Sequence, residues 1–389
     1  MMRILVVGSG PVGLMFCAKL SREGHECVLI ERHDFNQTFS RASTLQPATL
    51  ELLSEFACWP ELLAQGEVVS DVMSWNLERS TQQRSSYDAL SAQTQFPYRL
   101  HLHQAALRAE LIAELQASRC CCLVDKADAV ALQFDRCNKG VSVRVNRFGS
   151  SGLSQTFQGD YLILCDGARS VLRDQLGLRF EGYDLPTPVV RLSVPMIPDS
   201  LQGQLAGVSY VQSEGGSVSC LKMTDGWRFV LRPRLSELRQ ALAGTAWARQ
   251  RLAGVFRDCV PAQWWESIPA MRDSYRVAQR CVKTRQVQRV FLLGDVAHVT
   301  NTRGGLNMNF GLMEAYALAS CFLNHPDWQA LQHWNLTWSR LTQDALMART
   351  QQLLAGRTPR FLRPSSESFG ALMRASLLDL LSYSKSLRR

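Results

Sequence analysis

The chain has 389 residues, 46% hydrophobic and 20% charged, which suits about two or three folded domains with ample core and excludes a disordered or fibrous protein. No apolar run approaches the roughly 20 residues that span a bilayer. The opening MMRILVVGSG has neither the long apolar segment nor the small-residue cleavage site of a signal peptide, so a cytoplasmic location is expected. The net charge of +9 admits nucleic acid, an anionic cofactor or a membrane surface as partner. No nucleic-acid motif is present, however, and the basic residues are spread out. The densest series is Arg272, Arg276, Arg280, Lys283, Arg285 and Arg289. It reads as a solvated face, with attraction of a phosphate-bearing cofactor as the alternative. The cysteines show no C-x-x-C spacing and read as reduced thiols. His101 and His103 have no third ligand nearby, so no metal is expected.

The first element is a strand, Ile4 to Val7, apolar throughout as in a strand buried on both faces. Gly8-Ser9-Gly10-Pro11-Val12-Gly13 follows at once, then Leu14, Met15, Ala18 and Leu20 at roughly helical spacing. A second strand, Cys27 to Ile30, runs into Glu31 and Arg32. Strand, G-x-G-x-x-G, helix, strand and acid make a dinucleotide-binding unit. Gly8 allows the tight turn, Gly10 lets a pyrophosphate approach the positive end of the helix, and Gly13 lets helix and strand pack closely. Glu31 is placed to accept hydrogen bonds from a ribose. This unit leaves NAD and FAD both open. A dehydrogenase would continue through further strand–helix units. Here Ser40 to Phe56 instead reads as a helical segment after Arg41, and residues 66–98 are mixed and polar.

Further along, HLHQAALRAEL carries Gln104 and Arg108 on a helix. A strand then ends in Asp166-Gly167-Ala168-Arg169-Ser170, with Arg173 three residues on. Val189 to Ile197 is strand-like. Ser217–Met223 and Trp227–Arg232 flank Thr224-Asp225-Gly226, a hairpin signal. Trp227 and Phe229 fall on one face, as core residues do. Late in the chain, Val290 to Leu293 stops at Gly294-Asp295. A glycine-bearing loop, 299–308, then feeds an apolar segment from Leu312 to Phe322. A helix N-terminus presented there suits developing negative charge. The last 45 residues look helical, broken by Pro359 and Pro364. Their basic and apolar residues suit docking on the chain's own domain, with a membrane-surface helix as the alternative.

Three of these segments, in order, resemble the flavin-dependent aromatic hydroxylases, the para-hydroxybenzoate hydroxylase-like group A flavoprotein monooxygenases. They are the dinucleotide fingerprint, the D-G-x-x-S-x-x-R segment from Asp166 and the G-D-x-A-H segment from Gly294. The resemblance covers roughly residues 1–345. It implies an α/β fold: a Rossmann-like FAD-binding domain (1–70, 100–180 and 276–345), an inserted β-rich substrate domain (71–99 and 181–275) and C-terminal helices (346–389). It implies FAD as cofactor and NAD(P)H and O2 as cosubstrates, with hydroxylation of a small aromatic or otherwise electron-rich substrate through a flavin C4a-hydroperoxide. The cofactor-binding set is then Gly8, Gly10, Pro11, Val12, Gly13, Glu31, Arg32, Arg41, Gln104, Arg108, Asp166, Gly167, Asp295, Gly305, Asn307, Met308 and Asn309. Within it, Asp295 holds the ribityl chain, Arg41 lies near the flavin, and Asp166-Gly167 is associated with both cofactors.

The chain departs from the family pattern at three places: Thr302 stands for a proline, Asn307 for a glycine and Glu314 for an aspartate. Thr302 is thereby a candidate modulator of catalysis, while no catalytic base is identified. A flavin oxidase or dehydrogenase is the alternative activity. A halogenase, whose W-x-W-x-I-P motif is partly echoed by Trp264-Trp265-Glu266-Ser267-Ile268-Pro269, is another, and a non-catalytic flavin-binding protein is a third.

Overall fold

The computed structural model describes residues 2–37, 42–148, 154–214, 216–323 and 327–354. Its central element is a six-stranded sheet. The spatial order is Gln286–Val287, Val290–Leu292, Tyr161–Leu164, Arg3–Val7, Glu26–Ile30, Cys121–Val124. All neighbours run parallel except the short edge pair of 286–287 with 290–292. Ile4, Leu5 and Val6 are fully buried because both faces of the sheet are covered. On one face lie the helices Pro11–Arg22, Gln104–Ala117 and Leu306–Leu323. On the other lies an antiparallel meander, Ala127–Phe134, Val141–Arg147 and Ser154–Gly159, whose Val141, Val143 and Val145 share a core with Leu5, Val28 and Leu162. Pro11 opens the first helix at the position where a missing N–H costs nothing.

A second sheet has seven strands, in the order Met271–Tyr275, Val189–Val194, Gly226–Leu231, Gly216–Met223, Val208–Ser213, Asp71–Asn76, Thr81–Ser86. Pairing is antiparallel except where Asp71–Asn76 lies parallel to Val208–Ser213. Met223 pairs with Gly226, so Thr224 and Asp225 form a two-residue turn. One face packs on helices from residues 238–267 through Trp227, Phe229, Leu231, Phe256 and Trp265. Trp265 is fully buried against Phe229 and Phe256. Of the tryptophan pair that echoes a halogenase motif, Trp265 is thus core of this layer and Trp264 packs half-buried against it.

Some local expectations are corrected. The helix expected from Ser40 to Phe56 is confined to Pro47–Leu53, preceded by a short strand, Thr44–Leu45. Gln46 stands before a proline and is extended, which stops a helix from running through it. The basic series at 272–289 is not one solvated face. Arg285 is buried against Glu314, Arg280 and Lys283 pair with Asp184 and Glu181, and Arg289 lies over Tyr161. His101 ends a strand, and His103 precedes the first turn of a helix with its side chain on Asp225 and Arg228. Among the described residues no His, Cys, Asp and Glu cluster could hold a metal, and no helix is long and apolar enough to cross a membrane. The C-terminal helices expected beyond residue 354 lie outside the described residues. Ala348–Leu354 is helical.

Candidate active site

Four neighbouring strands of the six-stranded sheet end at one edge, and each leads into a chemically distinctive segment. In spatial order, Val290–Leu292 leads to Gly294-Asp295, Tyr161–Leu164 to Asp166-Gly167, Arg3–Val7 to Gly8–Gly13, and Glu26–Ile30 to Glu31. The carboxyl edge of such a sheet is where ligands bind in open α/β folds.

The turn after the first strand is tightly built at two glycines. Gly8 has φ +105°, and a Cβ there would come within 2.3 Å of the Cys165 carbonyl oxygen. A Cβ at Gly13 would come within 2.1 Å of the Gly8 carbonyl oxygen. At Gly10 no atom lies within 4 Å of that position, so the outward face of the turn is open. Ser9 is gripped from two sides. The Glu31 carboxylate accepts from the Ser9 amide (2.8 Å) and hydroxyl (2.9 Å), and from the His33 amide (2.9 Å). Arg108 donates Nε to the Ser9 carbonyl (2.9 Å), Nη2 to its hydroxyl (2.9 Å) and Nη1 to the Gln37 carbonyl (2.8 Å). Gln104, at the start of the Arg108 helix, accepts from the Ala42 amide at 3.1 Å. Arg32 is exposed beside Glu31, and Arg41 lies outside the described residues.

The Asp166 carboxylate points inward. Its Oδ1 is closed off from solvent and has no hydrogen-bond partner. Burial pushes its pKa up to about 6, against the pull of the Ser170 hydroxyl and of Arg173. Gly167 beside it has φ +90° and open space at its Cβ position.

The 294–311 segment is wedged against the first turn. A Cβ at Gly294 would lie 3.0 Å from Val12, and one at Gly311 would lie 2.8 Å from it. Asp295 accepts from Asn307 Nδ2 at 2.8 Å. From there a buried chain runs inward. Asn307 Oδ1 meets His298 Nδ1 at 2.9 Å, and His298 Nε2 meets Glu314 at 3.2 Å. Glu314 also accepts from the Gly294 amide and from Arg285, which in turn donates to Thr342. His298, Glu314 and Arg285 are all fully or almost fully buried. The loop is pinned to strand Thr44–Leu45. The Gln46 amide donates to Asn309 Oδ1 (2.8 Å), Gln46 Nε2 donates to the Gly304 carbonyl (3.0 Å) and Asn309 Nδ2 donates to the Thr44 carbonyl (2.8 Å). Gly304 and Gly305 both have positive φ, +81° and +63°. They make the bend that delivers Asn307, Met308 and Asn309 in the first turns of the Leu306–Leu323 helix.

On the other side of this loop lies the second face of the seven-stranded sheet. Trp227, Phe229 and Leu231 point into the core, so alternation puts Arg228, Val230 and Arg232 on the opposite side. Arg232 donates to the Thr302 hydroxyl at 3.3 Å, and Arg303 donates to the Ser217 hydroxyl at 3.4 Å. Arg99 donates to the Tyr210 hydroxyl at 3.4 Å. Burial pulls the Arg232 guanidinium down to about 10, and the neighbouring charge of Arg303 adds to that pull. A groove of about 500 Å³ lined by Ala18, Arg22, Glu61 and Glu110 contains none of these residues.

A family model described as the FAD binding domain matches residues 1–332. The chain belongs to this family. A relative from Pseudomonas putida (strain DSM 28022 / S16), 6-hydroxy-3-succinoylpyridine 3-monooxygenase HspB, is 30% identical over 82% of this chain and 78% of that protein. The para-nitrophenol 4-monooxygenase of Pseudomonas sp. (strain WBC-3) is 27% identical over 82% of this chain and 77% of that protein. Among solved structures, p-nitrophenol 4-monooxygenase PnpA from Pseudomonas putida DLL-E4 superposes with a TM-score of 0.79. It covers 100% of this chain and 96% of its own, at 21% identity. The protein is an FAD-dependent monooxygenase with the mixed α/β fold of these enzymes.

The residues present fit that cofactor. The flavoprotein's sheet edge offers an open face at Gly10 and, at Asp166, a buried carboxylate oxygen with no protein partner. Sequence reading missed Ser9, on which Glu31 and Arg108 converge, and the arginines facing loop 299–305. The alternation that placed Trp227 and Phe229 in the core also places Arg228 and Arg232 opposite them, and that signal was available.

Proposed function

We propose that this monooxygenase hydroxylates a small aromatic or otherwise electron-rich molecule where loop 299–305 meets the seven-stranded sheet, the sheet and residues 71–99 and 181–275 serving as substrate domain. The observation that carries the reading is the convergence of four strand ends on one sheet edge, with the 294–311 segment wedged against Val12. In this reading the amides of the Gly8–Gly13 turn, with Pro11 and Val12, take the pyrophosphate at the helix N-terminus. Glu31 and Arg32 face the adenosine ribose, and Asp295 takes the ribityl hydroxyls. Gln104 approaches the ring, and Arg108 shapes the turn through Ser9. Asp166 and Gly167 serve both FAD and NAD(P)H. The helix beginning at Leu306, with Gly305, Asn307, Met308 and Asn309, aims its dipole at the ring, where negative charge develops on reduction. Bound FAD supplies hydride acceptance from NAD(P)H and activation of O2. The protein's own work is to hold the substrate ring close and keep water out. The substrates named for the two relatives, 6-hydroxy-3-succinoylpyridine and para-nitrophenol, are single-ring aromatics and support a substrate of that size.

The test is turnover of the FAD-loaded protein with NAD(P)H and a panel of phenols and hydroxypyridines. Mass spectrometry should find a product heavier by one oxygen atom. NAD(P)H oxidation that gives only hydrogen peroxide with every compound would argue for an oxidase, and a product gaining halogen would argue for a halogenase.

A further inference from the structure

Asn307, in the first turn of the Leu306–Leu323 helix, has a side chain turned toward the protein at both of its polar atoms. Its Nδ2 donates to Asp295 Oδ1 at 2.8 Å, and its Oδ1 meets His298 Nδ1 at 2.9 Å. Elementary chemistry fixes which way round the amide sits. A carboxylate oxygen only accepts, so the amino group must face Asp295 and the amide oxygen must face the imidazole. His298 Nδ1 therefore carries a hydrogen and donates it. The far nitrogen, Nε2, lies 3.2 Å from Glu314. Glu314 is gripped by the Gly294 amide and by Arg285, and Arg285 donates onward to Thr342.

This line of side chains changes character along its length. Asp295 and Asn307 are half-buried, whereas His298 and Glu314 are closed off from water and Arg285 almost so. The inner members cannot shift without breaking a buried ion pair, which makes them a rigid anchor. The outer member, Asp295, stands in the short helical turn Gly294–Val296 just past a strand end. A donor fixed on one of its oxygens selects among the rotamers open to it.

We propose that Asn307 is a positioning residue: its side-chain amide carries the fixed geometry of His298, Glu314 and Arg285 out to Asp295 and sets that carboxylate in the pose in which it holds FAD. The proposal rests on the reading above that Asp295 takes the ribityl hydroxyls, and adds what orients it. The side chain of Asn307 thus supports FAD binding through Asp295, not by its own contact with the cofactor.

The test exchanges the two partners. Asn307→Asp keeps the shape and still accepts from His298, but it sets a carboxylate against the carboxylate of Asp295. Combined with Asp295→Asn, the same change remakes the pair with its polarity reversed, the new amide at 295 donating to the new carboxylate at 307. FAD affinity is measured by fluorescence titration of the FAD-free proteins, with their urea unfolding as the check on folding. Asn307→Asp alone should weaken FAD binding roughly ten-fold or more, the range of one charge-assisted hydrogen bond. Made in the Asp295→Asn protein, it should strengthen FAD binding instead. A residue that only fills space, or that meets FAD with its own side chain, loses affinity in both backgrounds. Asn307→Ala supplies a second arm that introduces no charge: it should weaken FAD binding in the native background and have no effect in Asp295→Ala.

The proposal is overturned if Asn307→Asp alone leaves FAD affinity within roughly two-fold of native. It is equally overturned if that change also loses affinity in Asp295→Asn, or if Asn307→Ala costs as much in Asp295→Ala as in the native background. Failure of the underlying reading would look different. Asp295→Asn and Asp295→Ala would then each bind FAD as the native protein does, which removes the premise and the proposal together.

Discussion

Loop 299–305 runs between two groups of buried charge that are treated in opposite ways. On one side, Glu314 lies against Arg285, His298 and the Gly294 amide, so each ion has a partner and the chain ends on Asn307 and Asp295. On the other side, Arg232 and Arg303 have hydroxyls and each other. Asp166, with its orphaned Oδ1, belongs with the second group. The contrast is between ions matched inside the protein and ions that have no ion pair there. Matched ions hold the loop in place whether or not anything is bound, whereas unmatched ions cost stability.

The largest expected effect tests the matched side. Glu314→Ala leaves Arg285 buried and unpaired and should cost about 3–5 kcal/mol in urea unfolding of the FAD-free protein. A loss below about 1 kcal/mol would erase the distinction drawn above. Asp166→Asn should do the reverse. The folded-state pKa of Asp166, about 6, lies above its ordinary 3.8, so the folded state binds the proton more tightly than the unfolded one. The resulting penalty is fully present above pH 6 and fades as pH falls toward 4. At about 1.4 kcal/mol per pH unit, the variant should gain up to roughly 3 kcal/mol at pH 7–8 in the FAD-free protein. Little of that gain should remain at pH 4. A pH-independent gain would show that the carboxylate is not the source. Asp295→Ala should weaken FAD binding roughly 10- to 150-fold, or about 1.5–3 kcal/mol, with little change in unfolding, as fluorescence titration of the FAD-free protein will report. Thr302→Val carries the smallest effect. It removes the hydroxyl that accepts from Arg232, so it should raise the hydrogen peroxide released per NAD(P)H consumed by a few-fold at most. An unchanged ratio would reduce Thr302 to a loop-shaping residue.

What could be read from the sequence was what is local. The strand–turn–helix unit at residues 3–31 is set largely by short-range packing, with Gly13 against the Gly8 carbonyl, although Gly8 and Gly13 both also lie against Cys165. The hairpin at 216–231 is equally local. The pairing of Asp71–Asn76 was not legible in its own residues, because its strand neighbour Val208–Ser213 is far along the chain and the segment is polar at its edges; only the family resemblance grouped 71–99 with 181–275. Arg285 illustrates the limit for side chains. Beside five other basic residues it looks solvated, and only the packing of the Leu306–Leu323 helix on the sheet brings Glu314 to it. Glu314 and Asn307 stood out as separate departures from a family pattern. In the structure both contact His298, one on each ring nitrogen.

The order of strands has a consequence for how the chain acquires its shape. The first strand pairs with Tyr161–Leu164, which in turn waits for Val290–Leu292, and the seven-stranded sheet is closed at one end by residues 71–86 and at the other by 271–275. Neither sheet is complete until the last third of the chain has been made. During synthesis, the apolar faces of Ile4–Val7 and of the Pro11–Arg22 helix therefore emerge long before Leu306–Leu323 exists to cover them. Such long-range pairing makes for slow folding and leaves apolar surface exposed in the meantime.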